Sequence, residues 1–192
     1  AFGRPAVGDY AENFVNAVRP LFGEVVQRRT LGPGAETVAQ VRGHRRAVAD
    51  LIAGGQPGRV LVHAELAAGA VSAFWSIAGL RGVPVTATVP DPPQGIWWPG
   101  RTKFVARHKL VMHGLHYPLR PVSRMLEGAV NGERTLFALS QIGAQSIRDT
   151  YPNTDVAYTP YLVCERPRVR PVTERPKAVG FFGHVYRGKG FE

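Results

Sequence analysis

Cysteine is nearly absent from this chain, with Cys164 alone among 192 residues. A single thiol excludes an intramolecular disulfide framework and a cysteine-based zinc cluster, and it suits a reducing compartment. Long apolar runs are also missing. None approaches the roughly 18 consecutive residues of a membrane-crossing helix, and no charged start followed by an apolar core marks a signal peptide. The expected location is therefore cytoplasmic, at most peripheral on the inner face of a membrane. Acidic residues are scarce, 14 Asp and Glu against 24 Lys and Arg, which leaves a formal charge of +10. That balance favours anionic partners: nucleic acid, anionic lipid or phosphorylated small molecules.

What is present is enough apolar material, 44% of residues, for a proper core. Tyr10, Phe14, Val15, Val18 and Leu21 keep helical spacing and predict a helix over residues 8–22, after a turn containing Gly8. A short β-branched run, Glu24 to Thr30, precedes a helix expected from about Ala35 to Ala53, with Gly54 and Gly55 supplying a left-handed cap. Arg59–His63 reads as a strand, Gly69–Leu80 as a helix and Val83–Val89 as a strand. Thr135–Leu139 then reads as a strand, Ser140 as a helix cap, Gln141–Thr150 as a helix and Asp155–Tyr158 as a strand. Strands alternating with helices predict βαβ units and an α/β fold, a Rossmann-like parallel sheet flanked by helices. Residues 162–177, rich in Pro and Arg, read as an extended linker. Ala178–Phe182 reads as the first strand of a new sheet. No internal repeat or low-complexity tract is found. Because the chain opens on Ala1 and ends at Glu192 where a helix is due to start, both ends are expected to be cuts.

Three pieces, in this order, carry a resemblance. They are Gly8-Asp9-Tyr10-Ala11-Glu12, Val83-Pro-Val-Thr-Ala-Thr-Val-Pro-Asp-Pro-Pro93, and Val179-Gly-Phe-Phe-Gly-His-Val-Tyr-Arg-Gly-Lys-Gly190. Together with Leu139-Ser140 they resemble a family 4 glycosyltransferase of the GT-B fold. The resemblance implies two Rossmann-like domains facing across a cleft. Residues 1–161 would be the acceptor domain, and 178–192 the first strand and turn of the donor domain. The activity implied is transfer of a sugar from a nucleotide-sugar donor to a glycan or lipid acceptor, with retention of configuration. No cofactor and no metal are expected, because lysine and helix N-termini would carry the charge. The fragment alone is expected to be nearly inactive.

The matching residues also have a physical reading. Gly8 would let the backbone approach a phosphate or sugar at a helix N-terminus, or it simply makes the turn while Asp9 caps the helix. Lys189 resembles the family lysine that neutralises the departing diphosphate. The second cation, usually Arg after a glycine, is replaced by His184 after Gly183, and Arg187 stands close enough in sequence to compensate; a solvated turn is the plainer alternative. At the end of the middle strand Pro90 occupies the place where many relatives carry His, and Asp91 remains. Proline has no proton to exchange. His63, read as ending its own strand, is a second catalytic candidate, since ligands collect at the carboxyl ends of parallel strands; the alternative is a satisfied histidine at a strand terminus.

From Pro92 through Leu126 there is no acidic residue, while Arg101, Lys103, Arg107, Lys109, Arg120 and Arg124 are present and Trp97-Trp98 lie just upstream of them. Phe104, Val105, Val111, Met112 and Leu115 keep roughly helical spacing. Such a segment suits an anionic membrane surface; acceptor contact or an ordinary solvated face are the other readings, and Asp9 and Tyr10 are counted with it as acceptor or membrane contacts. No nucleic-acid partner is expected, as no recognition signature appears. The competing function is a non-catalytic module of this fold that binds anionic membrane or polyanions.

Overall fold

The computed structural model describes residues 6–32, 34–56, 58–66, 71–96, 102–108, 110, 114–115, 117–160 and 171–174. Of the linker expected over 162–177 only residues 171–174 are described, with a 3-10 turn at Val172–Glu174, and the donor-domain strand of 178–192 lies outside the described residues.

Helix α1 spans Ala6–Val18 and runs into a 3-10 turn, Arg19–Leu21, where Pro20 is tolerated because its missing N–H falls in the first turn. Gly8 and Asp9 lie within α1, not in a turn before it. The run Glu24–Thr30 takes no regular structure and is mostly exposed. No described strand lies beside it, and an unpaired extended segment gains little in water.

Helix α2 spans Val38–Gly54 and begins at a capping box, in which Gln40 N–H donates to Thr37 Oγ1 at 3.3 Å and Thr37 N–H donates to Gln40 Oε1 at 2.8 Å. Its end corrects an expectation. Gly54 is helical, and Gly55 caps it at φ −84°, outside the left-handed region. Glycine at 55 answers a close approach instead, because a Cβ there would fall 2.4 Å from Val60 Cγ2.

Four parallel strands form the sheet: β1 Val62–Glu65, β2 Val85–Val89, β3 Thr135–Ala138 and β4 Asp155–Tyr158, in spatial order β1-β2-β3-β4. Helix α3 (Val71–Ile77) links β1 to β2, and α6 (Gln141–Thr150) links β3 to β4. Between β2 and β3 come α4 (Lys103–Arg107) and α5 (Arg120–Asn131). The fold is Rossmann-like α/β, as the alternation of elements predicts. Every crossover steps the same way, so right-handed connections set all the crossover helices on one face.

Burial agrees with that arrangement. Ala64, Ala87, Leu136 and Val156 sit side by side in register and share a core with Phe74 and Ile77 of α3 and Ala144 and Ile147 of α6. Helix α3 is enclosed between the sheet and α2, which is why it carries no charged residue. Two buried charged groups hold its ends. Glu36 Oε2 accepts from the N–H groups of Val71 (3.3 Å) and Ser72 (2.9 Å), and Arg134 donates to the Ile77 carbonyl. A carboxylate at the N-terminus and a guanidinium at the C-terminus both oppose the helix dipole. Burial lowers the Arg134 pKa from its ordinary value, and Glu133 partly restores it.

Candidate functional site on the polar face of the sheet

Residues alternate across a strand, so the second face of this sheet carries His63 and Glu65 from β1 and Thr86 and Thr88 from β2, which the register sets opposite one another. These four side chains form one network. His63 Nδ1 lies 2.8 Å from Thr86 Oγ1, and His63 Nε2 lies 2.9 Å from Glu65 Oε1. The Thr88 hydroxyl is 3.2 Å from both His63 Nε2 and Glu65 Oε1. A carboxylate offers only acceptors, so Nε2 carries the proton toward Glu65 while Thr88 donates to the same oxygen. Glu65 Oε2 is buried with no hydrogen-bond partner among the described residues.

Helix α1 covers this network. Phe14 stacks on the His63 ring, with centroids 4.1 Å apart and planes 18° from parallel, and Phe137 of β3 borders the ring at 6.2 Å. His63 therefore lies within β1, not at its end as its reading in sequence has it; Glu65 holds the terminal position. Both ring nitrogens thus have partners, and Phe14 lies over one face of the imidazole. The opening motif and the first strand belong to one place.

The loop that follows β2 is fixed from two sides. Gly143, near the start of α6, meets Pro92 so closely that a Cβ would fall 2.7 Å from Pro92 Cγ. Gly95 N–H donates to Glu127 Oε2 of α5 at 2.9 Å. Glu127 is buried and also accepts from Ser123 Oγ (3.1 Å, at Oε1) and the Tyr151 hydroxyl (3.0 Å, at Oε2). Burial raises its pKa above the usual carboxylate range, against the opposing effect of these hydrogen bonds. The Tyr151 phenol is also pushed up, first by burial and then by the neighbouring Glu127 carboxylate. Asp91 itself is exposed, two residues past the end of β2.

Family models, curated proteins and solved structures contain no match to this chain.

The structure thus brings α1, the β1 His–Glu pair and the β2 terminus to one region. Tyr10 is 2% exposed, so its ring is packed inside rather than open to an acceptor. Lys103 and Arg107 are exposed on α4. Trp97, Trp98, Arg101, Gly183, His184, Arg187 and Lys189 lie outside the described residues, as does the side chain of Asp9. Among the described residues no group of three His, Cys, Asp or Glu side chains is placed to hold a metal ion, and no helix is long and apolar enough to cross a membrane. Glu65, Thr86, Thr88 and Glu127 are not among the residues that the sequence alone singles out. A signal for the first three exists: His63 and Glu65 two apart on a strand, and Thr86 and Thr88 alternating with valine and alanine, mark a polar stripe. Glu127 offers no such signal, because a carboxylate in a helix ordinarily faces water.

Proposed function

We propose that this chain is the acceptor-side part of a family 4 glycosyltransferase of the GT-B fold, which moves a sugar from a nucleotide-sugar to a glycan or lipid acceptor with retention. The observation that carries the reading is the stacking of Phe14 on His63. It ties the helix bearing the Gly8 motif to the parallel sheet whose second strand ends at Val89, just before Pro90-Asp91. A Rossmann-like half with its motifs at one region of the sheet is the form a cleft wall takes in this fold.

In this reading the start of α1 faces the donor phosphates across the cleft, where unpaired N–H groups favour negative charge. Lys189, aided by Arg187 and His184 after the Gly183 turn, neutralises the diphosphate as the glycosidic bond breaks. Asp91 lies beside the reacting sugar, and His63 positions Glu65 without touching substrate.

The test is turnover of radiolabelled nucleotide-sugars against lipid and glycan acceptors by the longest natural form of the protein. Transfer is expected, and Lys189→Ala is expected to reduce it by about two orders of magnitude. Pro90, in the place of a histidine, favours one other reading, a binding module without chemistry; absence of turnover with every donor tried would select it.

A further inference from the structure

Helix α2 carries charge of one sign on its open side. Arg42, Arg45 and Arg46 fall within about a third of its circumference, all exposed, and the positions between and beside them are Ala39, Ala49 and Ala53, exposed too. Asp50 is the only acid of the helix and lies just beyond this arc. The side bearing half-buried Val41, Val48 and Ile52 rests on α3. A Cβ at Gly79 would fall 3.4 Å from an Arg45 Nη atom, so that guanidinium lies over the turn between α3 and β2, where Arg81 is also exposed.

These cations do little for the helix that bears them. Arg42 and Arg46 are like charges one turn apart, which weakens a helix. None lies in the last turn, where the dipole would favour a cation. Among the described residues, none of Arg42, Arg45, Arg46 and Arg81 pairs with a carboxylate.

We propose that this face of α2 binds the phosphate backbone of double-stranded nucleic acid without reading its bases. Guanidinium groups meet phosphate with planar, paired donors, and the alanines beside them let a backbone come close. Three comparisons select this occupant. A helix that docks on a bilayer sinks its apolar side into the lipid, but that side of α2 is covered by α3, and Val38, 54% exposed, is the one larger apolar group on the open arc. Unpaired strands are held by stacking of bases on aromatic rings, and α2 contains no Phe, Tyr or Trp. Duplex phosphates, at about one charge per 1.7 Å of axis, are dense enough to meet all three arginines at once, unlike scattered carboxylates on a protein surface. Contacts to phosphate position a protein without reading sequence. Such a face therefore carries none of the recognition motifs whose absence from the sequence argues against a nucleic-acid partner.

The inference does not rest on the transferase reading. Helix α2 lies across α3 from the sheet, away from the His63 network, and binding there is measured without turnover.

The experiment is fluorescence anisotropy of a short labelled DNA duplex of mixed sequence, titrated with the whole chain over a series of salt concentrations. Binding in the micromolar range is expected near physiological salt, with a log–log salt slope of about −3 or steeper. Arg42→Gln with Arg45→Gln and Arg46→Gln should weaken it at least about tenfold and flatten the slope by about 2–3. Lysine at the same three positions should keep most of the binding. The three sites are exposed, so the fold is expected to survive, and a graded loss through the single variants carries the same meaning. Lys103→Gln with Arg107→Gln and Arg124→Gln removes equal charge from exposed positions of α4 and α5 and should weaken binding far less. Equal loss in the two triple glutamine variants would overturn the inference, because net charge alone would then hold the duplex, as would no binding at all. So would tighter binding to phosphatidylglycerol vesicles than to the duplex, lost with the same three arginines, because a bilayer would then be the partner of this face.

Discussion

At the scale of single residues, Glu127 is a carboxyl held in an environment its side chain does not prefer. Its carboxyl stays protonated to higher pH in the folded chain than in the unfolded one, because burial opposes ionisation. The folded state then binds more protons than the unfolded state over the interval between the ordinary pKa and the raised one. Stability attributable to this group is fully present below the ordinary value and is lost as pH climbs through the raised one. Glu127→Gln keeps an acceptor for Gly95 N–H and the Tyr151 hydroxyl but cannot ionise. Urea midpoints measured across mildly acidic to neutral pH are therefore expected to fall with pH more steeply for the wild-type chain than for Glu127→Gln. Parallel pH profiles would show that the carboxyl ionises equally in both states.

At the scale of elements, the clearest case is α3, a two-turn helix whose ends are satisfied by residues remote in sequence. Glu36→Ala leaves the Val71 and Ser72 N–H groups without their buried acceptor. The expected cost is about 2–3 kcal/mol by chemical denaturation, and Glu36→Gln, which retains a carbonyl oxygen, should recover most of it. A cost below about 0.5 kcal/mol for Glu36→Ala would mean that water replaces the carboxylate there. Nothing near α3 in the sequence announces Glu36 as its capping group, which explains what was legible and what was not. The β3–α6–β4 unit was read with its cap because each signal is local: Ser140 Oγ accepts from Gly143 N–H at 3.0 Å, and its strands are short apolar runs. Helix α5 was not, because its polar stripe is the buried one and its apolar stripe faces out, the reverse of the pattern that periodicity assumes. The same holds for the network on the sheet: its residues were visible, but only the pairing of β1 with β2 turns a lone His63 into a four-membered cluster.

At the scale of the whole molecule, the two faces of the sheet are built from different materials. One is an apolar core shared with α3 and α6, and the other is a polar surface covered by α1 through Phe14. The first layer is held by burial of many side chains, so its stability is spread widely. In the second, α1 contributes the buried ring of Tyr10 and the half-buried ring of Phe14, and a single helix over one face can open locally while the strands stay paired. Half-buried Phe14 is the contact to remove. Phe14→Ala is expected to cost about 1–2 kcal/mol, less than for a fully buried phenylalanine. It should also raise amide hydrogen exchange in Ala6–Val18 while exchange in β2 and β3 stays slow. If the proposed transferase reading holds, the same substitution should weaken transfer, because the Gly8 motif would no longer be held against the sheet. Uniform loss of protection across α1 and the strands would instead mean that the two layers unfold as one unit, and that α1 is bound to the sheet by more than the ring stacked on His63.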